Sequence, residues 1–162
     1  MEKAIVIGCP GSGKSTFSRL LMKKTGLPLF HLDMLQWKQD RTTVSGEVFQ
    51  ERLDDILNTN QWIIDGNYLS TMEERMRESD TIFFLDYPVE TCLSGVRERI
   101  GKKRSDMPWV EVTEDAEFMA FIKNFNVDTR PVIQELLEKY SYKRVIIFKG
   151  RKQAEQFLEG IV

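Results

Sequence analysis

At 162 residues, with 30% charged side chains and a net charge of −2, the chain suits one domain that buries about two-thirds of its unfolded surface. The acidic balance argues against general duplex DNA binding, which needs a net basic face to displace counterions. No run of roughly 18 apolar residues offers a membrane span, and the apolar run after Lys3 is too short for the core of a signal peptide. Cys9 and Cys92 stand apart, without disulfide or metal-ligand spacing, so the expected setting is the reducing cytoplasm.

Ala4-Ile5-Val6-Ile7 is a continuously apolar run, as expected of a strand covered on both faces. From Lys14 to Lys24 the residues Phe17, Leu20 and Leu21 share a helical face, and Gly26 stands where that helix should stop. A second strand is expected over Leu29–Leu32. Phe49, Leu53, Ile56 and Leu57 fall at helical spacing within residues 46–58. Trp62-Ile63-Ile64 and Ile82-Phe83-Phe84-Leu85 read as strands, each closed by an aspartate, Asp65 and Asp86. Pro88 suits the first turn of a helix. Phe118, Ile122 and Phe125 share a face, a break is expected between Asn126 and Pro131, and a helix should follow through Tyr140. Val145-Ile146-Ile147-Phe148 is the last strand and Gln153–Leu158 a closing helix. With no repeat or linker, residues 1–162 read as a single domain. Its five strands alternate with helices in a doubly wound, mostly parallel α/β sheet. Ligands of such folds sit outside the carboxyl ends of the strands.

Gly8-Cys9-Pro10-Gly11-Ser12-Gly13-Lys14-Ser15 matches G-x-x-x-x-G-K-[ST] between a strand and an amphipathic helix, and Thr16 follows. The glycines let successive N–H groups turn inward on phosphate oxygens, Pro10 stiffens the start of the loop, and the positive end of the next helix faces the same oxygens. Lys14 has the reach for β- and γ-phosphates, and the Ser15 hydroxyl can ligate Mg²⁺. Nucleotide contacts are therefore expected from Gly8, Pro10, Gly11, Ser12, Gly13, Lys14, Ser15 and Thr16, with ATP or GTP as ligand. Cys9 reads as a small residue that fits the loop.

Asp33, at the carboxyl end of the second strand, is a candidate to take a proton from an acceptor hydroxyl, to hold the acceptor, or to bind metal through water. His31 is expected to pack or hydrogen-bond locally, outside catalysis. Asp65 and Asp86 compete as the second metal carboxylate. Asp65 is preferred because Gly66 after it permits close backbone approach, whereas Asp86-Tyr87-Pro88 also reads as a strand end capping a helix. Arg97, Arg99, Lys102, Lys103 and Arg104 crowd into eight residues, with Gly101 as a hinge. Such a cluster downstream of a phosphate loop suits a lid over residues 97–110, with Arg97 and Arg104 favoured because arginine grips phosphate with two donors. Arg130 and Arg151 are further candidates. Trp37, Trp62 and Trp109 read as core or pocket wall.

Taken together, Gly8–Thr16, Leu29-Phe30-His31-Leu32-Asp33 with Trp37, Trp62-Ile63-Ile64-Asp65-Gly66-Asn67-Tyr68, Phe83-Phe84-Leu85-Asp86-Tyr87-Pro88, Arg104-Ser105-Asp106-Met107 and Arg130-Pro131 resemble the bacterial topology modulation protein (FlaR-like) family. That family is similar in turn to adenylate kinase and other P-loop kinases. The resemblance spans nearly the whole chain. It implies a five-stranded P-loop NTPase fold, a substrate-binding helical segment (residues 34–58), a short arginine-bearing lid, Mg²⁺ on Ser15 and Asp65, and Lys14, Asp33, Arg97, Arg104 and Arg130 in catalysis. Asp65-Gly66 falls where adenylate kinases carry Asp-Gly-Phe-Pro-Arg. Asn67-Tyr68 replaces Phe-Pro-Arg, so a substrate arginine is missing there, with Arg75 the nearby candidate to replace it. No Thr-Gly-Asp-Leu-Leu-Arg-like segment occurs in residues 34–58, and both departures weigh against a nucleoside monophosphate acceptor. The expected activity is Mg-ATP-dependent phosphorylation of a nucleotide or another small molecule. The rivals are a nucleotide-binding regulator of DNA topology and an NTPase whose acceptor is water.

Overall fold

The computed structural model describes residues 1–162. Its strands are β1 (Lys3–Gly8), β2 (Leu29–His31), β3 (Trp62–Asp65), β4 (Thr81–Leu85) and β5 (Arg144–Phe148). They form one sheet in the order β2-β3-β1-β4-β5, every pairing parallel. Parallel neighbours need crossovers, and helices supply them. These are α1 (Lys14–Thr25), α2 (Leu32–Gln36), α3 (Gly46–Leu57), α4 (Leu69–Glu78), α5 (Val89–Arg99), α6 (Ala116–Asp128), α7 (Arg130–Lys139) and α8 (Arg151–Glu159). Residues Ala4 to Ile7 and Ile63, Ile64, Ile82 and Phe83 have no exposed surface. Adjacent residues of a strand point to opposite faces, so the sheet is covered on both.

The phenylalanines of β4 and β5 anchor the layer that supports the first loop. Phe17 of α1 lies 5.1 Å from Phe83 and 5.4 Å from Phe148, and Phe157 of α8 closes on both strands. Gly26 ends α1 in the left-handed conformation (φ 75) and donates to Met22 O. The chain leaves β1 toward β2 and β3 on one side and later toward β4 and β5 on the other, so the carboxyl end of β1 is the switch point where a crevice opens.

Several boundaries differ from the sequence pattern. Leu32 begins α2 instead of ending β2. Leu20 is 42% exposed, because α1 turns only Phe17, Ser18 and Leu21 fully inward. The break between α6 and α7 is the single residue Thr129, with Pro131 in the first turn of α7. Helix α4 is not announced by apolar spacing, because Thr71 and Arg75 occupy half of its buried stripe beside Met72 and Met76. No helix is long and apolar enough to cross a membrane.

Candidate active site

A cleft of about 910 Å³ opens at the carboxyl ends of the strands. Its floor is the loop between β1 and α1. This loop packs directly against α5: a Cβ on Gly11 would meet Cys92 O at 2.0 Å, and one on Gly95 would meet Gly11 O at 2.1 Å. Two backbones approach that closely only where both lack side chains. The N-cap of α1 is Gly13, which offers no side-chain cap. The first N–H groups of α1 are thus left for a ligand, at the positive end of the helix dipole. Hydrogen bonding to Cys92 and burial push the Cys9 thiol far above its usual value, so it fills space in the loop.

Lys14 Nζ donates to Gly8 O (2.9 Å) and Cys9 O (3.4 Å), poised over the loop. Burial pushes its pKa down, against the opposing charges of Asp65 and Asp33. Asn67 fixes the same carbonyl from the other side: its Oδ1 accepts from Gly8 N (3.0 Å) and its Nδ2 donates to Gly8 O (2.6 Å). The end of β1 is therefore clamped by a residue of the turn after β3.

Asp33 and Asp65 both line the cleft. Tyr68 donates its hydroxyl to Asp33 Oδ1 at 2.7 Å and stacks on Phe49 of α3, ring centres 5.3 Å apart. Burial raises the Asp33 pKa, and the Tyr68 bond and Lys14 charge only partly counter it. Asp65 Oδ2 bonds His31 Nδ1 at 2.7 Å. Burial pulls the imidazole down, but the bond and charge of Asp65 outweigh it and leave His31 above the usual histidine value. Asp86, the rival carboxylate, has both oxygens engaged, by the Arg130 guanidinium fork (2.8 and 2.8 Å) and by Lys149 (2.5 Å).

Ser15 and Asp65 offer a hydroxyl and a carboxylate oxygen to one cleft, and no three His, Cys, Asp or Glu side chains converge as a dedicated metal cage. Hard oxygens in that small number fit Mg²⁺, which binds through one or two carboxylates together with substrate phosphates.

The basic residues divide. Arg99, Arg104 and Arg151 line the cleft, whereas Arg97 and Arg130 do not. Arg97 turns outward to Glu114 (2.8 Å), half exposed. Arg130 is held by Asp86. Arg99 lies 3.5 Å from Glu111, and Arg104 lies 3.4 Å from Asp106 and 3.8 Å from Glu111. Arg99 Nε, the nitrogen that faces Glu111, and Arg104 Nη1 are buried with no hydrogen-bond partner. Arg75 does not stand in for a missing substrate arginine. It is fully buried and donates to Gly66 O (3.0 Å), Asn67 O and Tyr68 O (3.1 Å), holding the turn that carries Asn67 and Tyr68.

Arg19 is a cleft residue that the motifs do not single out. Its position four residues after Ser15 on α1 is the available signal, since i and i+4 share a face. Trp37 and Trp109 meet edge to face at 5.9 Å, and Arg41 caps Trp109 at 4.8 Å. These contacts join the 34–58 segment to the stretch after α5.

No family model and no curated protein matches the sequence. Among solved structures, the chain is similar to shikimate kinase from Bacteroides thetaiotaomicron (21% identity, TM-score 0.56, covering 98% of this chain and 94% of that one). It is also similar to shikimate kinase from Acinetobacter baumannii in complex with shikimate (15%, TM-score 0.67, 99% and 90%). A third likeness is shikimate kinase from Aquifex aeolicus (18%, TM-score 0.56, 98% and 92%). At these identities the likeness shows the fold: a five-stranded parallel sheet flanked by helices, shared with these three structures.

Proposed function

We propose that this chain is a P-loop phosphotransferase that moves the γ-phosphoryl group of ATP, or of GTP, to a hydroxyl of a small molecule. The observation that carries the reading is the placing of Asp33, oriented by Tyr68, in one cleft with the phosphate loop and Lys14. A phosphate-binding loop alone would suit any NTPase. A buried carboxylate with a raised pKa beside it adds a proton acceptor for an organic hydroxyl.

In this mechanism the α1 first-turn amides and Lys14 bind the phosphates. Ser15 and Asp65 would hold Mg²⁺, which when bound neutralises charge on the β- and γ-oxygens. Asp33 takes the proton of the acceptor hydroxyl as its oxygen bonds to the γ-phosphorus and the bond to the leaving ADP oxygen breaks. Arg99 and Arg104 place positive charge beside the transferring group. Arg151 serves the nucleotide side of the cleft. Arg97 and Arg130 enter this reading only as supports, through Glu114 and Asp86.

The reading keeps residues 1–162 as one domain, with 34–58 on the acceptor side and 97–110 as the lid. The Arg41–Trp109 contact supports that pairing. The motifs shared with the topology modulation proteins support placing the chain in that branch, in the cytoplasm where Mg-ATP is supplied. The named activity of the structural neighbours, and the shikimate in one of them, supports a small hydroxylated acceptor. The test is ADP release from Mg-ATP by the pure protein across a panel of polyhydroxylated acids, sugars, nucleosides and nucleoside monophosphates. Strong stimulation by one acceptor class, lost in Lys14→Ala, supports the reading. A slow rate indifferent to every acceptor refutes it in favour of a plain NTPase.

A further inference from the structure

One nitrogen of Arg19, Nη1, donates both to Ser15 Oγ (2.5 Å) and to Ser105 Oγ (2.8 Å), while Nη2 reaches Thr16 Oγ1 (3.3 Å). Ser15 Oγ is the hydroxyl that would ligate the metal in the mechanism above. Ser105 belongs to the stretch between α5 and α6. A single guanidinium therefore ties the metal-binding hydroxyl to the lid segment.

A metal on Ser15 Oγ sits about 2.1 Å from that oxygen. Metal and guanidinium would then stand within about 5 Å of each other, two cations sharing one oxygen, and like charges at that range repel strongly in a partly enclosed site. The hydroxyl can serve one of them well, not both.

We propose that Arg19 is a gate on the metal site: its guanidinium competes with Mg²⁺ for Ser15 Oγ, and Ser105 holds it in the competing position. Loading the metal breaks the Arg19–Ser15 contact and displaces the guanidinium from the position in which the same nitrogen meets Ser105 of the lid segment. Metal occupancy and loss of the Arg19–Ser105 bond are thereby coupled. This inference rests on the kinase reading, which supplies the metal.

The test is calorimetric titration of Mg²⁺ into protein saturated with a non-hydrolysable ATP analogue, so that no turnover is involved. Arg19→Ala and Arg19→Gln should lower the half-saturating Mg²⁺ concentration at least threefold, without tightening binding of the metal-free analogue. Ser105→Ala should lower it less, and the Arg19→Ala/Ser105→Ala double variant should match Arg19→Ala alone, since Ser105 acts only through Arg19. Thermal melts check that each variant is folded, and the Gln variant retains donors at the site. The proposal is overturned if both Arg19 variants leave Mg²⁺ binding unchanged or weaken it. It is equally overturned if the effect of Ser105→Ala persists without Arg19. A wild-type protein that binds no Mg-analogue at all would sink the kinase reading itself, a distinct result.

Discussion

Arg75→Met is the perturbation that tests most sharply how the site is supported. The guanidinium has no exposed surface and gives donors to three successive backbone carbonyls, Gly66, Asn67 and Tyr68, and to Thr71 Oγ1 (3.1 Å). Tyr68 sits in the left-handed region (φ 32, ψ 74) without being glycine, a conformation its surroundings must hold. Methionine fills much of the same volume but leaves the Gly66 and Asn67 carbonyls without the guanidinium donor, at about 1–3 kcal/mol each, whereas Tyr68 O keeps the Thr71 amide (3.0 Å). Relief of the buried charge offsets part of this, and burial pushes the Arg75 pKa down to about 9, a sign of how much that charge is penalised. With that offset, the net expectation from the two unmet carbonyls is about 2–4 kcal/mol of lost stability. For a domain of this size that lowers Tm by about 4–16 °C. Arg75→Lys should recover only a small part, because one ammonium cannot span three carbonyls. Circular-dichroism melts with urea titrations provide the measure. An Arg75→Met protein within about 2 °C of wild type would refute the claim that this side chain holds the 66–68 turn.

Gly11→Ala should abolish analogue binding and destabilise the fold, since the added carbon would lie 2.0 Å from Cys92 O at a backbone φ of 83; fluorescence titration and melting read the two losses. Tyr68→Phe removes a donor that favours the charged form of Asp33, whose pKa burial has already raised. The acid limb of the pH–rate profile should then move upward by about one pH unit, the scale of one hydrogen bond to a charged group. Burial would raise the Asp86 pKa, but the Arg130 fork and Lys149 outweigh it and hold the carboxyl below the usual value. Its contribution is present above about pH 4, the unfolded value, and is lost as pH falls through the lowered native value. The urea midpoint of wild type should therefore exceed that of Asp86→Asn at pH 6 and converge on it near pH 2.5.

The parts of this fold legible in the sequence are those set by local chemistry. The loop from Gly8 to Thr16 announces itself by spacing, and continuous apolar runs mark β1, β3 and β4, covered on both faces, and the edge strand β5, where Ile147 stays 44% exposed. Asp33 and Asp65 are legible because strand ends in such folds face the crevice. The roles of the arginines are not legible in this way. Five basic residues between 97 and 104 look equivalent along the chain, yet the rotation of α5 turns Arg97 out to Glu114 while Arg99 lines the cleft. Arg130 and Asp86 lie 44 residues apart, and only the meeting of α7 with the end of β4 pairs them. Arg75 hides α4 for a related reason. A charged residue on a buried stripe spoils the apolar period, and its justification, three carbonyls of a preceding turn, exists only in three dimensions. Arg19 escapes notice because a basic residue on an amphipathic helix is ordinary until Ser105 is seen beside it.

The most direct measurement is where the γ-phosphoryl group goes. ATP labelled in the γ-phosphate, incubated with the pure protein, Mg²⁺ and the acceptor that stimulates ADP release best, should give a labelled phosphate ester on the acceptor in step with ADP. Asp33→Asn should lower that transfer by about 100-fold or more, within the range of a lost general base, while leaving nucleotide binding in place. Label appearing only as inorganic phosphate, at a rate that Asp33→Asn does not change, would contradict the assignment of this cleft to phosphoryl transfer onto an organic hydroxyl.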